Sequence, residues 1–106
     1  MSDLLKDTIA ERRLDFKAGD GSDVSLRVRL ARPEVDPEGG GSWRCAIEVS
    51  GTSVSRGVRW VSGEDSYQAL VMAMELVQVD IELEMRQRSL SRAQGELDLG
   101  LLPRHL

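Results

Sequence analysis

Two acids, Glu64 and Asp65, stand side by side in the stretch GEDSYQALVMAMELV, and paired carboxylates can hold a divalent cation or a substrate amine. A cation site needs several oxygen ligands, and a catalytic zinc site usually adds histidine. No other acid lies nearby with loop-type ligand spacing, so no metal is expected. The bland alternative is electrostatic: acids at a helix start oppose the positive end of its dipole, for about 0.3–1 kcal/mol each. The same negative charge weakens a phosphate site there. The other reactive side chains are as sparse. Cys45 has no histidine nearby in sequence to activate it, and the one histidine, His105, lies beside the C-terminus. No Ser–His–Asp arrangement follows from that histidine. GGGS at 39–42 lacks the lysine of a phosphate loop and runs into a strand. No catalytic residue, metal or cofactor is assigned.

The charged side chains pose a different question. Asp80 falls inside an apolar helical arc, where an unpaired carboxylate is expensive and either titrates or finds a cation. Arg56, on a neighbouring strand, is its candidate partner in a buried polar pair. Arg27, Arg29, Arg44 and Arg59 are phased to the open face of a sheet, and they are the candidate binding residues. That face suits an acidic protein partner or nucleic acid. It also suits plain solvent, since long charged side chains discourage edge association.

These residues need elements to carry them. TIAERRLDFK at 8–17 alternates, with Leu14 and Phe16 on one side and Glu11, Arg13, Asp15 and Lys17 on the other. AGDGSD makes a hairpin turn. DVSLRVRLA at 23–31 alternates cleanly, Val24, Leu26, Val28 and Leu30 against Ser25, Arg27 and Arg29, the pattern of a strand buried on one side. The loop RPEVDPEGGGS leads to a strand at 42–50, with Trp43, Cys45, Ile47 and Val49 inward. After GTS a fourth strand at 53–61 has Val54, Val58 and Trp60 inward, with Arg56 as an outlier and Gly57 as a candidate bulge. Short turns favour an antiparallel meander.

A helix is predicted over 65–88, because no glycine or proline interrupts residues 66–88. Asp65 with Gln68 resembles a capping box, and Ser62 with Asp65 offers a second register. At 100° per residue, Met72, Leu83, Leu76, Ala69, Ala73, Val77, Leu70, Ile81 and Met74 cover an arc of about 200°, twice what one sheet face requires. The tail at 89–106, with Leu97, Leu99, Leu101 and Leu102, or a second copy of the chain must cover the rest. The expectation is a single α+β domain over 1–106, a four-stranded antiparallel sheet with one long helix across its inner face and a C-terminal tail.

Composition sets the outer bounds. The 106 residues are 41% apolar and 30% charged, which is ordinary for one globular domain with one core. A formal net charge of −4, with both tryptophans phased inward, argues against nucleic acid. A single cysteine excludes an internal disulfide framework. No apolar run approaches the roughly 20 residues of a spanning helix, and the first residues lack a signal-peptide pattern, so a cytoplasmic, non-membrane location is the expectation.

IAER at 9–12, WRC at 43–45, GEDSYQAL at 63–70, AMEL at 73–76 and LDLGLLP at 97–103 carry a resemblance over nearly the whole chain. In these the sequence resembles an uncharacterised family of small bacterial domains of unknown function. The resemblance supports four strands and a helix and implies no activity. The function expected from the residues is a non-enzymatic protein–protein interaction module, an adaptor or immunity-like protein, with an unknown protein partner or a homodimer. The alternatives are a small-ligand binder or enzyme with a polar pocket near Asp80 and Arg56, and a nucleic-acid binder through the arginine face.

Overall fold

The structure is a computed structural model that describes residues 7–92. It is α+β: an open antiparallel sheet with one long helix packed on it. Strands β1 (Thr8–Lys17) and β2 (Asp23–Ala31) form a hairpin. A two-residue strand, β3 (Glu34–Val35), lies in the following loop, and β4 (Trp43–Gly51) and β5 (Val54–Gly63) form a second hairpin. Helix α1 (Ser66–Gln87) and a two-residue strand, β6 (Ser91–Arg92), complete the order. Across the sheet β6 pairs β1, β1 pairs β2, β2 pairs β4 and β4 pairs β5, with β3 extending the β2 side of β4. The four predicted strands and the helix are present as a meander. The sheet has six strands because the 32–42 loop and the start of the tail each add a short one.

The alternation in β1, β2 and β4 fixes which face meets α1. Leu14, Phe16, Val24, Leu26, Val28, Cys45, Ile47 and Val49 point inward and are buried with Ala69, Ala73, Val77 and Ile81 of the helix. Ala69 and Ala73 keep that side of the helix thin, so its backbone approaches the sheet. Gly63 carries the approach furthest: a Cβ there would stand 2.3 Å from the Ala69 nitrogen. Each fully buried Leu, Ile or Phe of this layer contributes about 1.5–3 kcal/mol.

The helix starts one residue later than predicted. Asp65 is its N-cap and accepts the Gln68 backbone N–H at 2.7 Å, while the Gln68 side chain accepts the N–H of Glu64 at 2.7 Å. Glu64 and Asp65 therefore precede the first turn instead of lying in it. Ser62 belongs to β5, which overturns the second capping register. At the other end the Leu90 N–H reaches the Met85 carbonyl at 2.8 Å, and Leu90 enters the core. The tail beyond residue 92, and its expected cover for the helix, lies outside the described residues.

Candidate functional site

Strand β5 decides where the charged residues go. Ser55 pairs with Ser50 and Val58 with Glu48, so Arg56 and Gly57 together oppose the single residue Val49. This is a β-bulge, and Gly57 takes φ +70°, a conformation that costs a residue with a Cβ. One extra residue reverses the alternation of everything after it. Before the bulge Val54 and Arg56 face the helix. After it Arg59, opposite Ile47, and Val61, opposite Cys45, face the helix.

That reversal corrects three expectations. Arg59 is not on the open face with Arg27, Arg29 and Arg44; it lies beneath the helix. Val58 and Trp60 are not inward; they share the outer face with Glu48 and Ala46. Arg56 is no outlier, because it and Arg59 belong to one set.

Under α1 this set meets two buried carboxylates. Asp80 is 3% exposed and binds the Arg59 guanidinium, with Arg56 Nη1 3.8 Å from its other oxygen. Arg56 Nη2 donates to Glu84 Oε2 at 2.6 Å. Arg88 Nη1 lies 3.6 Å from Glu84 Oε1 and donates to the Thr52 carbonyl at 2.9 Å. Asp80 and Glu84 sit four apart on one helix face, so both drop into the same gap between α1 and β5. Arg56 thus bridges two acids, and three arginines neutralise them. The Nε–H groups of Arg56 and Arg59 are buried and meet no acceptor among the described residues. Sequence reasoning paired Arg56 with Asp80 but overlooked Glu84 and Arg88. The i, i+4 and i+8 spacing of the three helix-end charges was the available signal.

Four surface clefts among the described residues are lined without Arg56, Asp80 or Glu84. One of them, of about 190 Å³, is an apolar recess between Ala10, Val28 and Leu30 of the sheet and Met74 and Val77 of the helix.

On the outer face each candidate arginine has an acidic neighbour. Arg29 Nε donates to Glu48 Oε1 at 2.8 Å across β2 and β4, and Arg27 Nε lies 3.4 Å from Glu11. Arg44 Nε donates to Glu34 Oε1 at 2.8 Å, which gives β3 its purpose: it brings that carboxylate beside β4. The Arg44 guanidinium also lies 3.9 Å from the centre of the Trp60 ring, a cation–π distance. Beneath them Ala31 and Ala46 are buried, with Val58 packed against them. An aromatic residue is therefore displayed where inward phasing had excluded one, and Trp60 is 47% exposed.

Cys45 is buried, and its thiol donates to the Ala31 carbonyl at 3.3 Å. Burial pushes its pKa above the ordinary value, the opposite of what a nucleophile needs. His105 lies outside the described residues. Among the described residues no group of three His, Cys, Asp or Glu side chains is placed to hold a metal ion. None of the described helices is long and apolar enough to cross a membrane.

Residues 10–102 match the family model described as a domain of unknown function, DUF6968, and the chain belongs to that family. Searches of curated proteins and of solved structures give no match.

Proposed function

We propose that this chain is a non-enzymatic protein-interaction module whose contact surface is the outer sheet face around Trp60 and Arg44. The observation that carries the reading is the ring of Trp60, half in water on β5, with Arg44 laid over it and the buried Ala46 opposite it on β4. Tryptophan and arginine are the side chains that dominate binding energy at protein interfaces when a partner desolvates them. Glu34 and Trp60 hold the guanidinium in advance, so little rotamer freedom is lost on binding. The fitting partner is a protein that offers an apolar side chain to the ring and a carboxylate within reach of Arg44. The buried charges point the same way, because their acids and bases already engage one another inside the fold.

A photo-reactive amino acid placed at position 62, exposed on the outer face opposite Arg44 and two residues from Trp60, in the cells from which the chain comes, tests this reading. A discrete heteromeric cross-link from position 62, absent from position 82 on the solvent side of α1 and lost in Arg44→Glu, is the expected result. Equal labelling from positions 62 and 82, or none from 62, overturns it.

A further inference from the structure

The helix keeps an apolar stripe that the sheet covers only in part. Met72 and Val79 are 41% and 49% exposed, and Leu76 between them and Leu83 one turn beyond Val79 are half-buried. The spacing of these four, at i, i+4, i+7 and i+11, puts them within about 60° of one another. Met74 and Val77 look toward β1 and β2 from the opposite flank, so the stripe lies on the β5 side. There β5 is an edge strand: it pairs with β4 alone, and its other ladder of N–H and C=O groups is open among the described residues. A strand edge and an apolar helix flank thus face the same way.

We propose that this flank binds a second copy of the chain, with β5 pairing antiparallel to β5 about a two-fold axis and the two α1 stripes meeting above it. Three features of the fold select this occupant. The first is spacing. Helix α1 rests on both β4 and β5, so its axis stands about half a strand spacing inside the edge. With strands about 4.8 Å apart, pairing the edges brings the two helices to about twice that distance, which falls within the roughly 8–10 Å at which helices pack. Neither contact need be bent to reach the other.

The second is level. Gly63 touches Ala69, and Arg59 binds Asp80, which fixes how the helix runs back along the strand. Interpolating between those two contacts puts Trp60 level with about residue 77 of the helix. The midpoint of the stripe lies between Leu76 and Val79, at the same level. One axis therefore centres both surfaces, as an isologous contact requires. The antiparallel helices then bring Met72 toward the partner's Leu83 and Leu76 toward the partner's Val79.

The third is register. Paired residues share a face, so the axis must lie level with a residue of β5, midway between that residue and its copy. Centring on Trp60 uses the whole run of residues 58–62 beyond the bulge. It sets Arg59 against the partner's Val61 and keeps the two Arg59 side chains from opposing each other directly. On the outer face it joins the two Trp60–Arg44 pairs into one larger patch. The dimer does not depend on that patch taking another protein, and its test is separate.

Sedimentation of the full chain over a concentration series should give twice the protomer mass of 11.7 kDa. The double variant Met72→Glu/Val79→Glu, at two exposed positions, should sediment as a monomer with unchanged circular dichroism. Amide exchange at residues 58–62 should be slower in the native dimer than in that monomer. A monomeric native chain at every concentration overturns the proposal, and so does a dimer that survives both substitutions. A dimer lost in the variant with no change in exchange along β5 overturns the strand pairing. Cross-linking from position 62 to another protein would leave all three results where they stand.

Discussion

Arg59 and Arg44 sit on adjacent strands and differ in which way β5 and β4 turn them. Arg59 points under α1 and meets the buried Asp80; Arg44 points outward, where it pairs with Glu34 and lies against Trp60. Removing charges from water costs several kcal/mol per ion, so the inner set exists only because every member has a partner. The arginines of the two faces are similarly covered and the difference lies in their acids: Glu34 and Glu11 keep about half their exposure where Asp80 and Glu84 keep almost none, so those outer pairs give up less hydration and gain less from pairing. The contrast separates side chains that hold the fold in one arrangement from side chains that remain available to a partner.

Breaking the inner set should have the largest effect. Asp80→Ala leaves Arg59 facing a buried methyl group and removes one of the acids near Arg56. A loss of about 3 kcal/mol is expected, the low end of the range for breaking a buried pair, because both guanidinium groups keep some water. Urea denaturation measures it. Replacing the four charges between α1 and β5 at once (Arg56→Met, Arg59→Leu, Asp80→Leu and Glu84→Leu), with Arg88 left on the Thr52 carbonyl, should instead be neutral or stabilising by about 1–4 kcal/mol. The two buried Nε–H groups that meet no acceptor among the described residues make this arrangement a costly one. A quadruple variant as unstable as Asp80→Ala would show that the network contributes net stability, and the contrast between the two faces would fail.

Much of this was legible in the residues. Clean period-two alternation placed β1, β2 and β4 and their buried side chains, since a one-sided strand leaves no other solution. The glycine-free run from 66 placed the helix, and Asp65 with Gln68 placed its cap. What misled was β5. Gly57 marks a candidate bulge in the sequence, but an alternation carried through it unchanged puts Arg59, Val58 and Trp60 on the wrong faces. The pattern beyond the bulge, Val58, Arg59, Trp60, Val61, is ambiguous by itself, because hydrophobic and polar residues do not alternate there. Only the demand of Asp80 and Glu84 for two cations would have settled the phase, and that demand is tertiary. The short strands β3 and β6 were illegible for another reason: two residues carry no period.

The bulge is therefore the point at which the two arginine sets are sorted, and Gly57 is its weak spot. Gly57→Ala should cost about 1–2 kcal/mol, the penalty for a Cβ at positive φ. Open space surrounds that position, so no clash adds to it. Tryptophan fluorescence at the emission of an exposed indole should be retained, because Trp60 stays outside as long as the bulge holds. A blue shift with preserved circular dichroism would mean that β5 has slipped by one residue and exchanged the faces of Arg59 and Trp60.

The smallest expected effect is the one most diagnostic for function. Arg44→Ala removes a partly exposed ion pair and a cation–π contact, together worth about 1 kcal/mol or less, and added salt should erase part of even that. Stability should therefore barely separate the variant from the native chain, while the chain loses the guanidinium that orients Trp60. If Arg44→Ala destabilises the fold as much as Asp80→Ala does, Arg44 belongs to the framework and the outer face has no residue to spare for a partner. If stability is unchanged and the cross-link from position 62 disappears, the division of labour between the faces is real: charges under the helix specify the fold, and charges over the sheet are free to recognise something else.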